Sequence, residues 1–123
     1  MSKKVNPYYY DIKLKFINIL SIMLSEENYG KPINEKLSIV LRRNTTKDDY
    51  ADIAAKSNIS FSTIRDVVHR TNSLTKSNSK AILFLISRAF DNSLARQLQA
   101  EGDKLFLNKI VTKNQTIFSN YSK

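Results

Sequence analysis

Apolar residues recur along this chain at three- and four-residue steps rather than in strict alternation, the pattern of helices that bury one face. The longest series is Ile82, Leu85, Ile86, Ala89, Phe90, Leu94 and Leu98. It predicts a helix that starts near 79 and is stopped by Gly102, with Asp103 placed to cap a short helix carrying Leu105, Phe106, Ile110 and Val111. Nearer the start, Ile12, Phe16, Ile19, Leu20 and Met23 form an apolar surface wider than a narrow stripe, while Asp11, Lys15, Asn18 and Ser25 share a polar face. A helix of that kind, from about 9 to 25, is either sandwiched in a core or buried against another copy of the chain. The apolar run 16–24 is too short to span a bilayer, and no small-residue cleavage site follows it, so neither an anchor nor a secretory signal is expected.

Tyr29-Gly30-Lys31-Pro32 reads as a loop, and Asn34 can cap a helix through Leu41 with Leu37 and Val40 or Leu41 facing inward. After the polar connection Arg42-Arg43-Asn44-Thr45-Thr46, two short helices are expected at about 47–57 and 60–70. The polar end, Asn114 to Lys123, is expected to fray. The fold class is therefore all-α: a single domain over 1–123, built as a compact bundle of five or six helices.

The two short helices carry the most specific pattern. Helices that cross steeply need a small residue where their backbones meet, and Ala54 supplies it, with Ile53, Ile64 and Val67 around it. The turn needs a residue tolerant of left-handed backbone, an apolar plug and an N-cap, which Asn58, Ile59 and Ser60 supply in order. Helix periodicity then turns Ile64, Val67 and Val68 inward and Phe61, Ser62, Arg65, Asp66 and His69 outward.

The ordered set Ile53-Ala54, Ser57-Asn58-Ile59-Ser60, Thr63-Ile64 and Val67-Val68 resembles the DNA-binding helix-turn-helix of bacterial and phage repressors. It is similar to the lambda-repressor-like (Xre) group and to Lac-repressor-type headpieces. The likeness is close from Tyr50 to Arg70 and loose over 34–90; it departs at Asn58, where the family prefers glycine. The first thirty residues and the last thirty or so have no counterpart. The resemblance implies a transcriptional regulator of bacterial, phage or mobile-element origin, acting in the cytoplasm, whose second helix lies in the major groove.

On that reading the base-contact candidates are Phe61, Ser62, Arg65, Asp66 and His69. The Arg65 fork suits guanine O6 and N7, with a phosphate clamp or a surface ion pair as the alternatives. Phe61 either meets a thymine methyl or folds back onto Leu74 or the opposite helix. Asp66 is repelled by phosphate unless it accepts from a cytosine amine or orients Arg65, Arg70 or His69. Phosphate-contact candidates are Arg42, Arg43, Thr46, Lys47, Ser60, Arg70, Thr75, Lys76 and Lys80.

Charge strengthens this picture and narrows its location. Twenty Lys and Arg against eleven Asp and Glu give +9, a surplus that favours a polyanionic partner. Residues 26–60 balance, six acids against six bases, whereas 61–100 hold six bases against only Asp66 and Asp91. The partner expected is double-stranded DNA, with a homodimer through the apolar N- and C-terminal helices as a means of contacting two half-sites. An ordinary intramolecular core is the alternative use of those helices.

No cysteine, one histidine (His69) and no glycine-rich phosphate loop leave nothing that resembles an enzyme's machinery. Asp48-Asp49 reads as a helix N-terminus rather than a carboxylate pair. No cofactor, metal, membrane or small-molecule ligand is expected. A protein-interaction module on the same helical body is the competing reading. A membrane-surface helix using Lys13 and Lys15 ranks third.

Overall fold

The computed structural model describes residues 24–115, together with Asp11, Leu14, Lys15 and Ile117. Among the described residues there are four α-helices and no strand: α1 (Glu35–Asn44), α2 (Lys47–Ser57), α3 (Phe61–Val68) and α4 (Lys76–Lys113). A three-residue 3-10 turn at Glu26–Asn28 precedes them. The all-α class holds, and the described residues hold four α-helices where five or six were expected of the whole chain.

Part of the difference lies at Gly102, where the chain does not break: α4 runs through it, and Asp103 caps nothing. A glycine inside a helix costs about 1 kcal/mol relative to alanine. Strong helix formers on both sides, Gln97 to Glu101 and Lys104 to Leu107, outweigh that cost. The expected N-terminal helix from about 9 to 25 lies almost wholly outside the described residues. Of its described residues, Asp11, Leu14 and Lys15 are helical, whereas Ser25 at the expected end has extended dihedrals (φ −74°, ψ 170°) and leads into the 3-10 turn.

Each helix begins where a side chain satisfies its open amides. The Asn34 carboxamide oxygen accepts from the Lys36 and Leu37 amides at 2.9 and 3.3 Å. Thr46 and Asp49 form a reciprocal capping box at the start of α2. Thr75 and Asn78 do the same at α4, with amide-to-side-chain bonds of 2.8 and 3.2 Å.

The chain divides into two compact units, Met1–Asn92 and Ser93–Lys123. The first holds the core: Leu41 from α1, Tyr50 and Ile53 from α2, Ile64, Val67 and Val68 from α3, and Ala81, Ile82, Leu85, Ile86 and Ala89 from α4. Leu24, Ile33 and Leu74 complete it from the connecting segments. In α4 the buried stripe stops earlier than its periodicity suggests: Phe90 and Leu94 are half-buried, and Leu98 is 63% exposed. The second unit is helical through Lys113, and every described residue from Ala95 onward is exposed.

Two segments outside the helices are joined by backbone hydrogen bonds. The Gly30 amide donates to the Leu74 carbonyl at 2.8 Å and the Leu74 amide donates to the Lys31 carbonyl at 2.9 Å. The buried Ser38 hydroxyl donates to the Val68 carbonyl at 2.6 Å, which ties α1 to the end of α3. Among the described residues, no helix is long and apolar enough to cross a membrane.

Candidate nucleic-acid interface

Helices α2 and α3 pack on one another and are joined by Asn58-Ile59-Ser60. Asn58 takes the left-handed conformation (φ 57°, ψ 32°) that the sequence required there, a region asparagine tolerates better than most side chains. Ile59 packs against the core, and Ala54 sits half-buried at its edge. Ser60 caps α3, its hydroxyl accepting from the Thr63 amide at 3.1 Å and lying 2.7 Å from the Thr63 hydroxyl. That hydroxyl is also 3.3 Å from Ser62 Oγ.

α3 is strongly two-sided. Ile64, Val67 and Val68 have no exposed surface, while Ser62, Arg65 and His69 face solvent. Phe61 is less outward than the periodicity implies. It is half-buried, and its ring stands edge-on to Tyr50 of α2, with centroids 5.8 Å apart. This is the fold-back onto the opposite helix that stood as its alternative. Asp66 is turned towards its neighbour, its Oδ1 accepting from both Nε and Nη2 of Arg65 at 3.2 Å. The pair is open to solvent and contributes little to stability. Its effect is to orient the Arg65 fork and to place a negative charge beside it.

α3 ends on an unusual residue. Arg70 is left-handed (φ 63°), with its amide bonded to the Val67 carbonyl at 3.1 Å and the Thr71 amide bonded to the Asp66 carbonyl at 2.9 Å. This is the Schellman arrangement, in which glycine is the usual occupant. The Arg70 Nε donates to the Ile33 carbonyl at 2.8 Å, so the guanidinium is held over the connection that precedes α1.

The remaining expected phosphate contacts fall into two groups. Thr46, Ser60 and Thr75 are exposed or half-exposed, but their hydroxyls already serve as helix caps. Arg42, Arg43, Lys47, Lys76 and Lys80 are exposed cations. Lys47 and Lys76 occupy the first positions of α2 and α4. The Arg42 Nε donates to the Ser38 carbonyl at 3.4 Å, and Lys80 lies 5.7 Å from the centre of the Phe84 ring.

The sequence reading missed a polar cluster behind α2. Arg88 of α4 donates to Asp49 at 2.8 Å and also to Asp52, while the Asn92 amide reaches the Asn44 carbonyl at 2.9 Å and Asp49 at 3.2 Å. Burial alone raises the Asp49 carboxyl. The Thr46 amide, the Arg88 guanidinium and the Thr46 hydroxyl outweigh it and hold the group below its ordinary 3.8. Asp52 is held down by Arg88 and then by Lys56, and Arg88 is raised in turn by Asp52 and Asp49. The signal was present as spacing, Asp49/Asp52 on one helix and Arg88/Asn92 on another, but which helices meet is not a local property. Arg88 is therefore already neutralised and adds little to the cationic surplus near α3.

No protein-family model matches this chain, and neither a curated protein nor a solved structure is similar to it. Among the described residues no group of three His, Asp or Glu side chains is placed to hold a metal ion.

Proposed function

We propose that this protein binds double-stranded DNA through α2 and α3 as a helix-turn-helix, with α3 entering the major groove, and that it acts as a repressor-like transcriptional regulator. The observation that carries the reading is the division of α3. Its inward residues are fully buried, while Ser62, Arg65 and His69 stay open on a short helix that follows a left-handed turn and a serine cap. Such a helix is rigidly held from behind and offers polar groups in front, as groove recognition requires. The exposed cations Lys47, Lys76 and Lys80 would neutralise phosphates, and two such modules joined as a homodimer would address two half-sites.

The test is selection of bound sequences from a random duplex pool at two salt concentrations, followed by titration of the selected duplex. Arg65→Ala should cost about 1–3 kcal/mol and relax the preference at one base pair. Lys76→Ala should weaken all duplexes alike and lower the salt slope by about one. Affinity that does not fall with salt, or no enrichment of any sequence, overturns the proposal.

One observation favours a second reading. The Asp66 carboxylate takes two hydrogen bonds from Arg65, which blunts the only cation among the outward residues of α3. A protein-interaction module built on the same helices tolerates that pair. In that case Arg65→Ala leaves duplex binding unchanged, and Phe61→Ala abolishes partner capture.

A further inference from the structure

Asp66 sits where folding gives no reason for an acid. It lies in the last turn of α3, the end at which the helix dipole disfavours negative charge. Its partner is the preceding residue, and adjacent side chains on a helix do not ordinarily face one another. The two nevertheless meet: Arg65 Nε and Nη2 both donate to Asp66 Oδ1 at 3.2 Å, on side chains that remain 51% and 42% exposed. A pair so open adds little to stability. The acids of α2 show the contrast. Asp49 caps its own helix and joins Asp52 in holding Arg88, so each has a use within the fold.

The form of the pair leaves two edges open. One carboxylate oxygen takes both bonds along the Nε–Nη2 side of the guanidinium. The end of the fork, Nη1 with the second Nη2 hydrogen, still presents two parallel donors, and Asp66 Oδ2 still presents an acceptor. Two donors match O6 and N7 of guanine, and an acceptor matches the exocyclic amine of cytosine or adenine. We propose that Arg65 and Asp66 read DNA as one unit, taking a guanine and an adjacent amine-bearing base, and that Asp66 makes α3 selective by disfavouring every other placement. Away from such a step the carboxylate meets no donor and lies among phosphate oxygens, which repel it. Its charge therefore weakens binding to the wrong duplex more than to the right one. The inference rests on the proposed reading of α3 as the groove helix; it adds the bases that helix takes and the residue that discriminates among them.

The full chain, unaltered and as Asp66→Asn and Asp66→Ala, is titrated at one salt concentration against two duplexes: the one the unaltered chain selects, and a scrambled one of the same composition. Both variants should bind the scrambled duplex about fivefold tighter, through loss of one repelled charge. Neither should bind the selected duplex tighter, so discrimination between the two falls by at least about fivefold. The thermal midpoint should not move, because the pair is open to solvent. Selection repeated with Asp66→Ala should keep the guanine and lose the preference at the adjacent position, a readout that a purely structural role leaves unmoved. Tightening of both duplexes alike, or of neither, overturns the inference and leaves the groove reading in place, since the unaltered chain still selects a sequence. A selected site without guanine beside an amine-bearing base does the same, as does a midpoint lowered in both variants, which assigns Asp66 to the fold. A chain that enriches no sequence overturns the groove reading and this inference together.

Discussion

Between Lys76 and Asn92, α4 buries Ala81, Ile82, Leu85, Ile86 and Ala89; between Ser93 and Lys113 it buries nothing, yet the backbone stays helical throughout. The two stretches are helical for different reasons. The first is held by a core face that long-range contacts cover, and its stability comes from area removed from water. The second inherits a helix already nucleated and adds residues of good propensity, because propagation costs far less than starting a first turn. Helix content and burial are thus separate properties of one element, and substitutions should tell them apart.

The largest separation is expected from truncating a leucine in each stretch. Leu85, fully buried, should cost about 2–5 kcal/mol as Leu85→Ala in denaturant unfolding. Leu105, 64% exposed, should change the same transition by less than about 0.5 kcal/mol as Leu105→Ala. Equal losses at the two sites would show that the outer stretch is packed in solution.

Next comes the polar anchor of the inner stretch. Arg88→Met leaves Asp49, only 9% exposed, without its guanidinium, a loss of about 1.5–3 kcal/mol at neutral pH. The sign of the acid response follows from the lowered Asp49 and Asp52 carboxyls. Their stabilisation is complete above the unfolded value near 3.8 and disappears as pH falls through the lower folded values. Stability measured from pH 5 downward should therefore drop steeply in the parent chain and less steeply in Arg88→Met. Parallel curves would remove the network from the account.

The smallest effect is expected at Gly102, where an added Cβ meets nothing within 4 Å. Gly102→Ala should favour the outer helix by about 1 kcal/mol, seen as higher circular-dichroism helicity on warming, with the first unit's unfolding midpoint unmoved. Reduced helicity would mean that the glycine marks a bend that the chain uses.

The same contrast explains what the amino-acid order revealed. Features decided within a few residues were readable: the Asn34 and Ser60 caps, the left-handed Asn58, and the inward set Ile64, Val67 and Val68 of α3. Features decided by distant partners were not. Nothing near Leu98 signals that the buried stripe has already ended, and Gly102 looks like a stop only if its helical neighbours are left out. Phe61 turns back because Tyr50 stands within reach across the turn. Arg70 is left-handed at a position with no glycine to advertise it, and its side chain is tied to Ile33, thirty-seven positions earlier.

One further consequence belongs to the two hydrogen bonds that join Gly30 and Lys31 to Leu74. They close a ring of chain around α1, α2 and α3, and Leu74 itself is 1% exposed. Its amide proton lies outside any helix, yet it cannot meet solvent deuterium until that ring parts. In isotope exchange it should rank with the slowest helical amides and report the opening of the whole first unit rather than the fraying of a loop.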